Sequence, residues 1–350
     1  KVGQQVSLCG WINSIRSHGK IAFFDLRDRS GIVQTVDLTG KLEVGNEWVV
    51  KITGLVKKRP EKMVNPNLAT GNIEVEIEKL EIITKSLEMP FPKDTPGYDI
   101  NEETRLKYRY LDIRRTRITQ NLKYRSRMTN FIRNFLMQRD FIEVETPMLT
   151  KTTPEGARDF IVPSRLQKGK FYALPQSPQQ YKQLLMVAGL ERYFQIVRCF
   201  RDEDPRHDRA YGEFTQLDLE MSFTSQDEII TLTEDLFYQM VREIFPHKKL
   251  KLPPWPRISH KIAIKEYGTD KPDLRKDKKD KDELVFSWTV DFPLFTEQSK
   301  EDFYYGSGDA KFAPSHHMFT APHPDDIKLL DTDPEKVRGL QHDLVLNGYE

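Results

Sequence analysis

Between residues 176 and 221, two basic side chains, Lys182 and Arg201, have neighbours that could bind an anionic ligand together with them. Lys182 follows Gln179 by three positions, so both share one face near the start of a predicted helix. A helix N-terminus carries partial positive charge and free N–H groups, and an added lysine makes it a seat for a carboxylate. Arg201 closes a predicted strand, where its guanidinium suits a phosphate. These residues support two hypotheses. The functional one is that they bind a carboxylate and a phosphate, and the non-functional one is that they form a solvated helix face and an ordinary charged hairpin loop.

A helix and two strands must position these side chains. Ser177 is the predicted N-cap, with Pro178 at the first helical position and Gln180 completing a capping box. Gly189 is predicted to end this helix. Residues 193–200 are apolar and aromatic, as in a buried strand.

The second strand, within residues 214–223, alternates between two kinds of side chain. One face would carry a ring, an amide and two acids: Phe214, Gln216, Asp218 and Glu220. The other face would be mostly apolar: Thr215, Leu217, Leu219 and Met221. Because burying amides and acids without partners is costly, the polar face predicts the floor of a polar pocket.

Two segments together resemble a known family. The first reads FRDED, then a charged loop, then EFTQLDLEM, and it resembles motif 2 of the class II aminoacyl-tRNA synthetases. The second reads QSPQ, then YKQLLM, and it resembles the aspartate-binding segment of aspartyl-tRNA synthetases. The resemblance covers nearly the whole chain. It implies a multidomain β and α/β protein, in which an OB-fold barrel precedes a class II antiparallel-sheet catalytic domain flanked by helices.

The resemblance also implies roles for single residues. Arg201 would be catalytic, bridging the substrate carboxylate and the α-phosphate of ATP. The aspartate-binding residues would be Glu155, Ser177, Gln179, Lys182, Arg201, Gln216, Asp218 and His316. The ATP-binding residues would be Arg201, Asp202, Glu203, Phe214 and Glu350. Mg²⁺ would be held by Asp343 and Glu350, and Arg206 and Arg209 would meet either the tRNA acceptor end or the pyrophosphate.

Two local patterns bear on these roles. The turn-prone stretch around Pro154 and Gly156 is typical of a mobile lid, with Glu155 at its tip, although an exposed acid on a flexible loop would look the same. His316 and His317 are adjacent in a predicted strand, so they point in opposite directions and make a poor chelate. One histidine is therefore expected to face the pocket, and the resemblance favours His316.

Residues 1–85 contain five short strands separated by turns, which predicts a small barrel, and basic residues interleaved with aromatics suggest nucleic acid. Alternation places Phe24 in the core and Phe23 on the other face. The segment resembles the anticodon-binding domain of bacterial-type aspartyl-tRNA synthetases. On that basis Phe23 would stack on a base and Gln34 would read a base edge, with Arg16 and His18 nearby.

Residues 86–115 are rich in proline and then in charge, which predicts a hinge that is mostly a solvated connector. The catalytic domain would span residues 116–350. Its first helix, over residues 117–139, is amphipathic, and together with the short strand after it resembles motif 1. That resemblance implies a homodimer. A second capping box, Ser225 with Glu228, predicts a helix through Phe245.

Composition sets limits on the class of protein. The formal net charge is +1, which excludes a uniformly basic nucleic-acid coat, so RNA contacts must be local. Cys9 and Cys199 lie too far apart for a zinc motif and are expected to pack as small apolar residues. The sequence has no apolar run of membrane-spanning length and no secretory signal, so we expect a cytoplasmic protein without membrane contact.

The family commonly carries an inserted domain where this sequence has only the charged run at residues 272–283. After the acid that matches Glu350, the family continues with a glycine-rich strand and motif 3. We therefore expect the sequence to be part of a longer chain, inactive as it stands.

The predicted activity is ATP-dependent activation of L-aspartate and its transfer to tRNA(Asp). His18 is compatible with an enzyme that also charges tRNA(Asn). Two alternatives stay open: an asparaginyl-tRNA synthetase, and a synthetase paralogue that binds tRNA without catalysis.

Overall fold

The computed structural model describes residues 1–153, 155–203, 211–298 and 311–350. The chain forms two compact units, Lys1–Arg117 and Ile118–Glu350, and each is described by itself. The predicted boundaries at residues 85 and 115 stay predictions. No helix among the described residues is both long enough and apolar enough to cross a bilayer.

The first unit contains the predicted five-stranded barrel, which is closed. Around the barrel the strand order is β1, β2, β3, β5, β4. The strands are β1 (Gln5–His18), β2 (Ile21–Arg27), β3 (Ile32–Asp37), β4 (Val49–Lys58) and β5 (Ile73–Thr84). All neighbours are antiparallel except β3 and β5, and this mixed closure leaves the barrel without a free edge.

Alternation along β1 and β2 decides which side chains fill the barrel. Phe24 is 1% exposed and packs in the core, whereas Phe23 on the other face is half-buried, as predicted. Cys199 is buried, but Cys9 is exposed, so the prediction for Cys9 is wrong. The physical reason is register, because Cys9 occupies an outward-facing position of β1, whereas Ile12 points inward.

The segment after the barrel is packed and only partly solvated, which corrects the predicted solvated connector. It forms two short helices, α1 (Glu102–Lys107) and α2 (Arg109–Asp112). Arg115 is 1% exposed and donates to buried Asp112 over 2.7 Å and to the Thr95 carbonyl over 2.7 Å. Its guanidinium also lies 5.1 Å from the centre of the buried Phe91 ring.

One buried carboxylate ties this segment to the barrel. The Glu47 side chain is fully buried and accepts hydrogen bonds from Arg27 of β2 over 2.9 and 2.8 Å. It also pairs with Lys93 and Arg114, which lie near the two ends of the segment. Glu47 itself has a φ of 64°, a conformation that costs a non-glycine residue about 1 kcal/mol or more. The side-chain interactions therefore hold the backbone where it would not otherwise stay.

The second unit is organised around a three-stranded sheet in the order β10, β9, β6. The strands are β6 (Ile142–Glu143), β9 (Arg192–Phe200) and β10 (Glu213–Met221), with β9 and β10 antiparallel and β6 parallel to β9. Two long helices bury apolar side chains with one face of this sheet: α3 (Thr116–Met137) and α5 (Gln226–Ile244). The predicted capping box of Ser225 and Glu228 is confirmed at the start of α5.

Smaller elements complete the second unit. The helices are α4 (Gln179–Val187) and α6 (His260–Tyr267). The strands are β7 (Ile161–Pro163), β8 (Phe171–Ala173), β11 (Lys249–Leu250), β12 (Arg257–Ser259), β13 (Glu283–Leu284), β14 (Phe286–Val290), β15 (Phe295–Glu297), β16 (Phe312–Pro314) and β17 (Asp343–Leu346). Short 3₁₀ helices occur at Glu61–Met63, Pro324–Leu329 and Pro334–Lys336. A second three-stranded sheet, β12–β14–β17, packs Trp288 and Phe286 against Trp255 and Ile230.

Replacing Glu47 by glutamine should destabilise the first unit by about 3 kcal/mol, because three cations lose a buried counter-charge. Burial alone raises the pKa of Glu47, but hydrogen bonds and charges from Arg27 and Lys93 outweigh it and lower the pKa to about 2 from 4.5. Since the folded pKa is depressed, the contribution is present above pH 4.5 and is lost as the pH falls towards 2. Urea unfolding followed by tryptophan fluorescence at several pH values measures both effects.

Glu43→Gln is the matched control, because Glu43 lies in the same loop and is exposed. Equal stability of the two variants at neutral pH would contradict the role assigned to Glu47.

Candidate active site

The two faces of the β9–β10 pair have different chemistry, as the alternation predicted. Phe214 pairs with Cys199, Gln216 with Val197, Asp218 with Gln195, and Glu220 with Tyr193. The opposite face packs Leu217, Leu219, Met221 and Phe194 into the core beneath α3 and α5. The ring, the amide and the acids therefore share one face, which is free to serve as the floor of a site.

Lys182 of α4 reaches this floor. Its ammonium lies 2.8 Å from Asp218 Oδ1 and 3.3 Å from Glu220 Oε2. Gln216 Nε2 donates to the same Asp218 oxygen over 3.0 Å. The Lys182 and Asp218 side chains are 12% and 4% exposed, so this is a largely buried ion pair. Each buried group therefore has a partner in the other, and Asp218 has a second one in the Gln216 amide.

The start of α4 differs from the prediction. The helix begins at Gln179 with Pro178 at its N-cap and no side-chain cap, so the predicted capping box at Ser177 is wrong. Ser177 instead accepts from the Gln179 N–H over 3.2 Å and donates to Glu155 over 2.5 Å. The hydroxyl thus accepts from the first turn of the helix and donates to the loop acid at the same time. Gly189, with a φ of 84°, follows the end of the helix as predicted.

Arg201 follows the last residue of β9 and is held on two sides. Its guanidinium lies 5.1 Å from the centre of the Phe214 ring, and its Nε donates to the Gln176 carbonyl over 3.3 Å. The charges of Arg201 and Lys182 both act on the Cys199 thiol, whose pKa burial raises to about 11. Phe214 and Asp218 share one face of β10, so the two cations that contact them lie on the same side of the sheet.

The two adjacent histidines differ in their surroundings. His316 is exposed, whereas His317 is half-buried. Burial lowers the pKa of His317 below its usual value, and the neighbouring His316 ring and the Arg201 and Lys182 side chains lower it further. These observations favour His317 as the histidine that faces the two cations. The role of His316 stays a prediction.

Gln176 is a buried amide that orders the loop carrying Glu155. Its Oε1 accepts from the Ala157 N–H over 2.9 Å, and its Nε2 donates to the Ala157 carbonyl over 2.8 Å and to Asp159 over 2.6 Å. Asp202 fixes the same loop, since its N–H donates to the Arg158 carbonyl over 3.0 Å. The tip of the loop is thereby tied to the end of β9, beside Arg201.

Asp343 and Glu350 form a separate group. Asp343 begins β17 opposite Thr289, and Glu350 pairs with Lys271 over 2.6 Å after a turn that brings Tyr349 back to Leu346. Continuing that register places the two acids on one face at diagonal positions. Among the described residues there is no group of three or more metal-ligating side chains.

Three predicted residues lie outside the described part of the chain: Pro154, Arg206 and Arg209. Glu203 is the last residue described before residues 204–210, and it is half-buried.

In the first unit, the predicted RNA-contacting residues come together on the outside of the barrel. Arg16 lies opposite Phe23, whose ring meets His18 edge-on with centroids 6.1 Å apart. The Gln34 amide is 7% exposed, accepts from Arg16 over 3.2 Å and donates to Glu74 over 2.9 Å. Gln34 is therefore pre-oriented, and a base would have to replace one of these two partners.

Sequence reasoning missed several of the ordering residues. Gln195 pairs with Thr146 through two hydrogen bonds on the pocket face, and Tyr193 is buried beside Asp218. One signal was available, because Gln195 is the single amide of β9 and lies within its apolar stretch from Tyr193 to Val197. Gln176 has no comparable pattern, since its role depends on a loop almost twenty residues earlier in the chain.

Comparison with protein families identifies two regions. Residues 101–350 match the profile described as tRNA synthetases class II (D, K and N). Residues 6–83 match an OB-fold nucleic acid binding domain. The first match includes the β6–β9–β10 sheet together with Lys182 and Arg201, and the second corresponds to the closed barrel.

Curated relatives cover the whole chain. A protein of Rubrobacter xylanophilus named Aspartate–tRNA(Asp/Asn) ligase is 38% identical over 479 residues, covering 100% of this chain and 78% of the relative. The alignment is longer than the chain, so that relative has residues within the aligned region that this chain lacks. A protein of the same name from Thermodesulfovibrio yellowstonii is 50% identical over 283 residues, covering 79% of this chain and 47% of the relative.

Solved structures share the fold. Asparaginyl-tRNA synthetase from Pyrococcus horikoshii, complexed with asparaginyl-adenylate, matches with a TM-score of 0.72 and 25% identity, covering 98% of this chain and 77% of the other. Aspartyl tRNA synthetase from Entamoeba histolytica matches with a TM-score of 0.70 and 20% identity, covering 100% and 74%. At these identities the fold is what is shared, and the predicted combination of barrel and synthetase domain is confirmed.

Replacing Gln176 by leucine should free the loop around Ala157. The substitution leaves an amide and a carbonyl unpaired, at a cost of about 2 kcal/mol in the free energy of unfolding. Trypsin cleavage after Arg158 should accelerate as the loop opens. The control is Gln167→Leu, whose side chain is exposed, and equal cleavage rates of the two variants would refute the ordering role of Gln176.

Proposed function

The chain belongs to the class II tRNA synthetases of the D, K and N group, and on that premise we propose that it activates L-aspartate with ATP and transfers it to tRNA(Asp). One observation carries this choice of substrate. A lysine ammonium flanked by acids and an arginine guanidinium share the polar face of one sheet, as a small dicarboxylic amino acid next to a nucleotide requires. The curated relatives named Aspartate–tRNA(Asp/Asn) ligase support it.

Aspartate would bind over the floor formed by Gln216 and Asp218. Lys182 would pair with its side-chain carboxylate, which makes this lysine the basis of selectivity, because the neutral amide of asparagine leaves the ammonium unmatched. Glu155, held by Ser177, would accept from the α-ammonium group. Gln179 and His316 would complete the set, with His317 beside them.

ATP would lie on the Arg201 side of the floor. Phe214 would stack on the adenine, and Asp202 and Glu203 would contact the nucleotide. The substrate α-carboxylate would attack the α-phosphate in line, breaking its bond to the bridging oxygen, so that aspartyl-adenylate forms and pyrophosphate leaves. This step needs positioning and charge neutralisation more than a protein base. Arg201 would bridge the two reacting groups and stabilise the charge that develops between them.

Mg²⁺ would be held by Asp343 and Glu350. Two carboxylates at diagonal positions on one face fit an ion that takes most of its ligands from phosphate oxygens and water. Lys271 now pairs with Glu350 and would have to give way. The bound ion would offset the negative charge of the triphosphate.

The barrel would bind the anticodon loop. Phe23 would stack on a base, Gln34 would read a base edge, and Arg16 and His18 would lie beside them. The relatives named for both tRNA(Asp) and tRNA(Asn) support the relaxed specificity that His18 suggested. Charging of tRNA(Asn) in addition to tRNA(Asp) is part of this proposal.

We also propose a cytoplasmic homodimer. Apolar side chains are exposed on α3, on β6 and just beyond it, which is typical of a surface that another subunit covers: Leu122, Met137, Ile142 and Leu149. The relation between α3 and motif 1 supports the same surface.

The activity test is ATP–pyrophosphate exchange by the full-length gene product, with aspartate and asparagine assayed separately. Exchange should depend on aspartate, and Arg201→Ala should lower kcat at least about 100-fold, since it removes a charge that stabilises the transition state. Arg198→Ala is the matched control, because Arg198 lies three residues earlier in β9, is exposed and pairs with Glu213.

Two results would overturn the proposal. Preference for asparagine would identify an asparaginyl-tRNA synthetase. Tight tRNA binding without exchange would identify a non-catalytic paralogue.

Replacing Phe23 by alanine should lower kcat/KM for tRNA aminoacylation about tenfold or more, because stacking on one base is lost. ATP–pyrophosphate exchange should not change. Met63→Ala removes an exposed apolar side chain from the same unit and serves as control. Unchanged aminoacylation by the Phe23 variant would exclude this face as the anticodon site.

A further inference from the structure

Tyr193 is buried on the pocket face of β9. The proposed mechanism assigns no role to its hydroxyl. It lies two residues before Gln195, which is directly opposite Asp218. Because side chains two apart on a strand share a face, the Tyr193 ring lies beside the Asp218 carboxylate. The two residues are 0% and 4% exposed.

The hydrogen bonding around Asp218 is one-sided. Oδ1 accepts from both Lys182 and Gln216. Within the described part of the chain, Asp218 Oδ2 and the Tyr193 hydroxyl are both buried and without a hydrogen-bond partner of normal geometry. The hydroxyl is nevertheless near enough to the Asp218 and Gln195 side chains for both to act on its pKa. An unused donor thus lies near an unused acceptor, in a place that water does not reach.

The protonation state of the hydroxyl makes it a donor. Burial raises the pKa of Tyr193 above its usual value, and the negative charge of Asp218 raises it further. The hydroxyl therefore keeps its proton at any physiological pH.

Substrate binding weakens the interaction of Asp218 with Lys182. If Lys182 turns towards the side-chain carboxylate of an incoming aspartate, Asp218 loses part of its interaction with the one cation that lies against it at 2.8 Å. A buried carboxylate that loses a cation is strongly destabilised unless another donor replaces it. The Tyr193 hydroxyl is placed to be that donor.

We propose that Tyr193 is a positioning residue for aspartate: its hydroxyl donates to Asp218 Oδ2 as Lys182 turns to the substrate. The proposal rests on the proposed function. It follows that Tyr193 contributes to selectivity, because the neutral side chain of asparagine does not draw Lys182 away from Asp218. The Tyr193 hydroxyl then has little to compensate.

The test is Tyr193→Phe in the full-length protein, which removes the hydroxyl and keeps the ring. KM for aspartate in ATP–pyrophosphate exchange should rise about tenfold, as expected for one hydrogen bond to a charged group. KM for ATP and kcat should stay within about twofold of the wild type. The preference for aspartate over asparagine should fall by a factor similar to that in KM.

A thermal melt separates positioning from a structural role. Because the hydroxyl makes no hydrogen bond of normal geometry in the ligand-free structure, its removal should leave the Tm unchanged or raise it. Tyr238→Phe is the matched control, since Tyr238 is a half-buried tyrosine that packs around Trp255 and Trp288. A larger drop in Tm for Tyr193→Phe than for Tyr238→Phe would overturn the proposal.

A double-mutant cycle with Asp218→Asn tests the route of the effect. If Tyr193 acts through Asp218, Tyr193→Phe should add little in the Asp218→Asn background. Additive effects, or an unchanged KM for aspartate in the single variant, would overturn the proposal. Absence of aspartate-dependent exchange in the wild type would instead overturn the proposed function, so the two failures are distinguishable.

Discussion

The buried pair of Lys182 and Asp218 is the interaction on which the candidate site depends. An ammonium and a carboxylate that are nearly inaccessible to water are each costly alone, so each requires the other. From the same strand as Asp218, the Gln216 amide donates a hydrogen bond to the carboxylate and the Glu220 carboxylate pairs with the ammonium. The Lys182 ammonium is thereby held over the polar face of the sheet between two carboxylates. It can exchange one of them for a carboxylate of a ligand.

The second cation is held by other means. Arg201 lies against the Phe214 ring and donates to a backbone carbonyl. A guanidinium held by a ring and a carbonyl keeps most of its charge unneutralised, which suits a group that must meet phosphate. The same carbonyl belongs to Gln176, whose amide orders the loop of Glu155. The arginine and the loop acid are thereby positioned by one residue that touches neither substrate in the proposed mechanism.

Much of the fold followed from local patterns. Alternation in β10 and in β2 assigned the correct faces, because one side of each strand is buried and register is then strongly specified. The helix caps were less predictable. Ser225 caps α5 as its sequence indicates, whereas α4 begins at Gln179 with Pro178 at its N-cap, and the Ser177 hydroxyl links the first turn of α4 to Glu155 of a distant loop.

What sequence could not provide is the pairing of residues far apart in the chain. The links from Gln176 to Ala157, from Lys182 to Asp218 and from Glu47 to Lys93 span 19, 36 and 46 positions. The packing of the segment after the barrel was missed for this reason, since its prolines and charges are equally typical of a solvated linker. The binding roles of single residues came from the resemblance to class II synthetases and not from local sequence pattern.

The network around Glu47 also bears on how this protein can be recombined with its relatives. A chimera joined at residue 85 would take the barrel from one parent and the partners Lys93 and Arg114 from the other. Unless the second parent supplied matching cations, the transplanted barrel would carry a buried acid with only Arg27 to balance it. A junction after residue 117 transfers Glu47 together with Arg27, Lys93 and Arg114. It is therefore the better position at which to exchange the barrel between relatives.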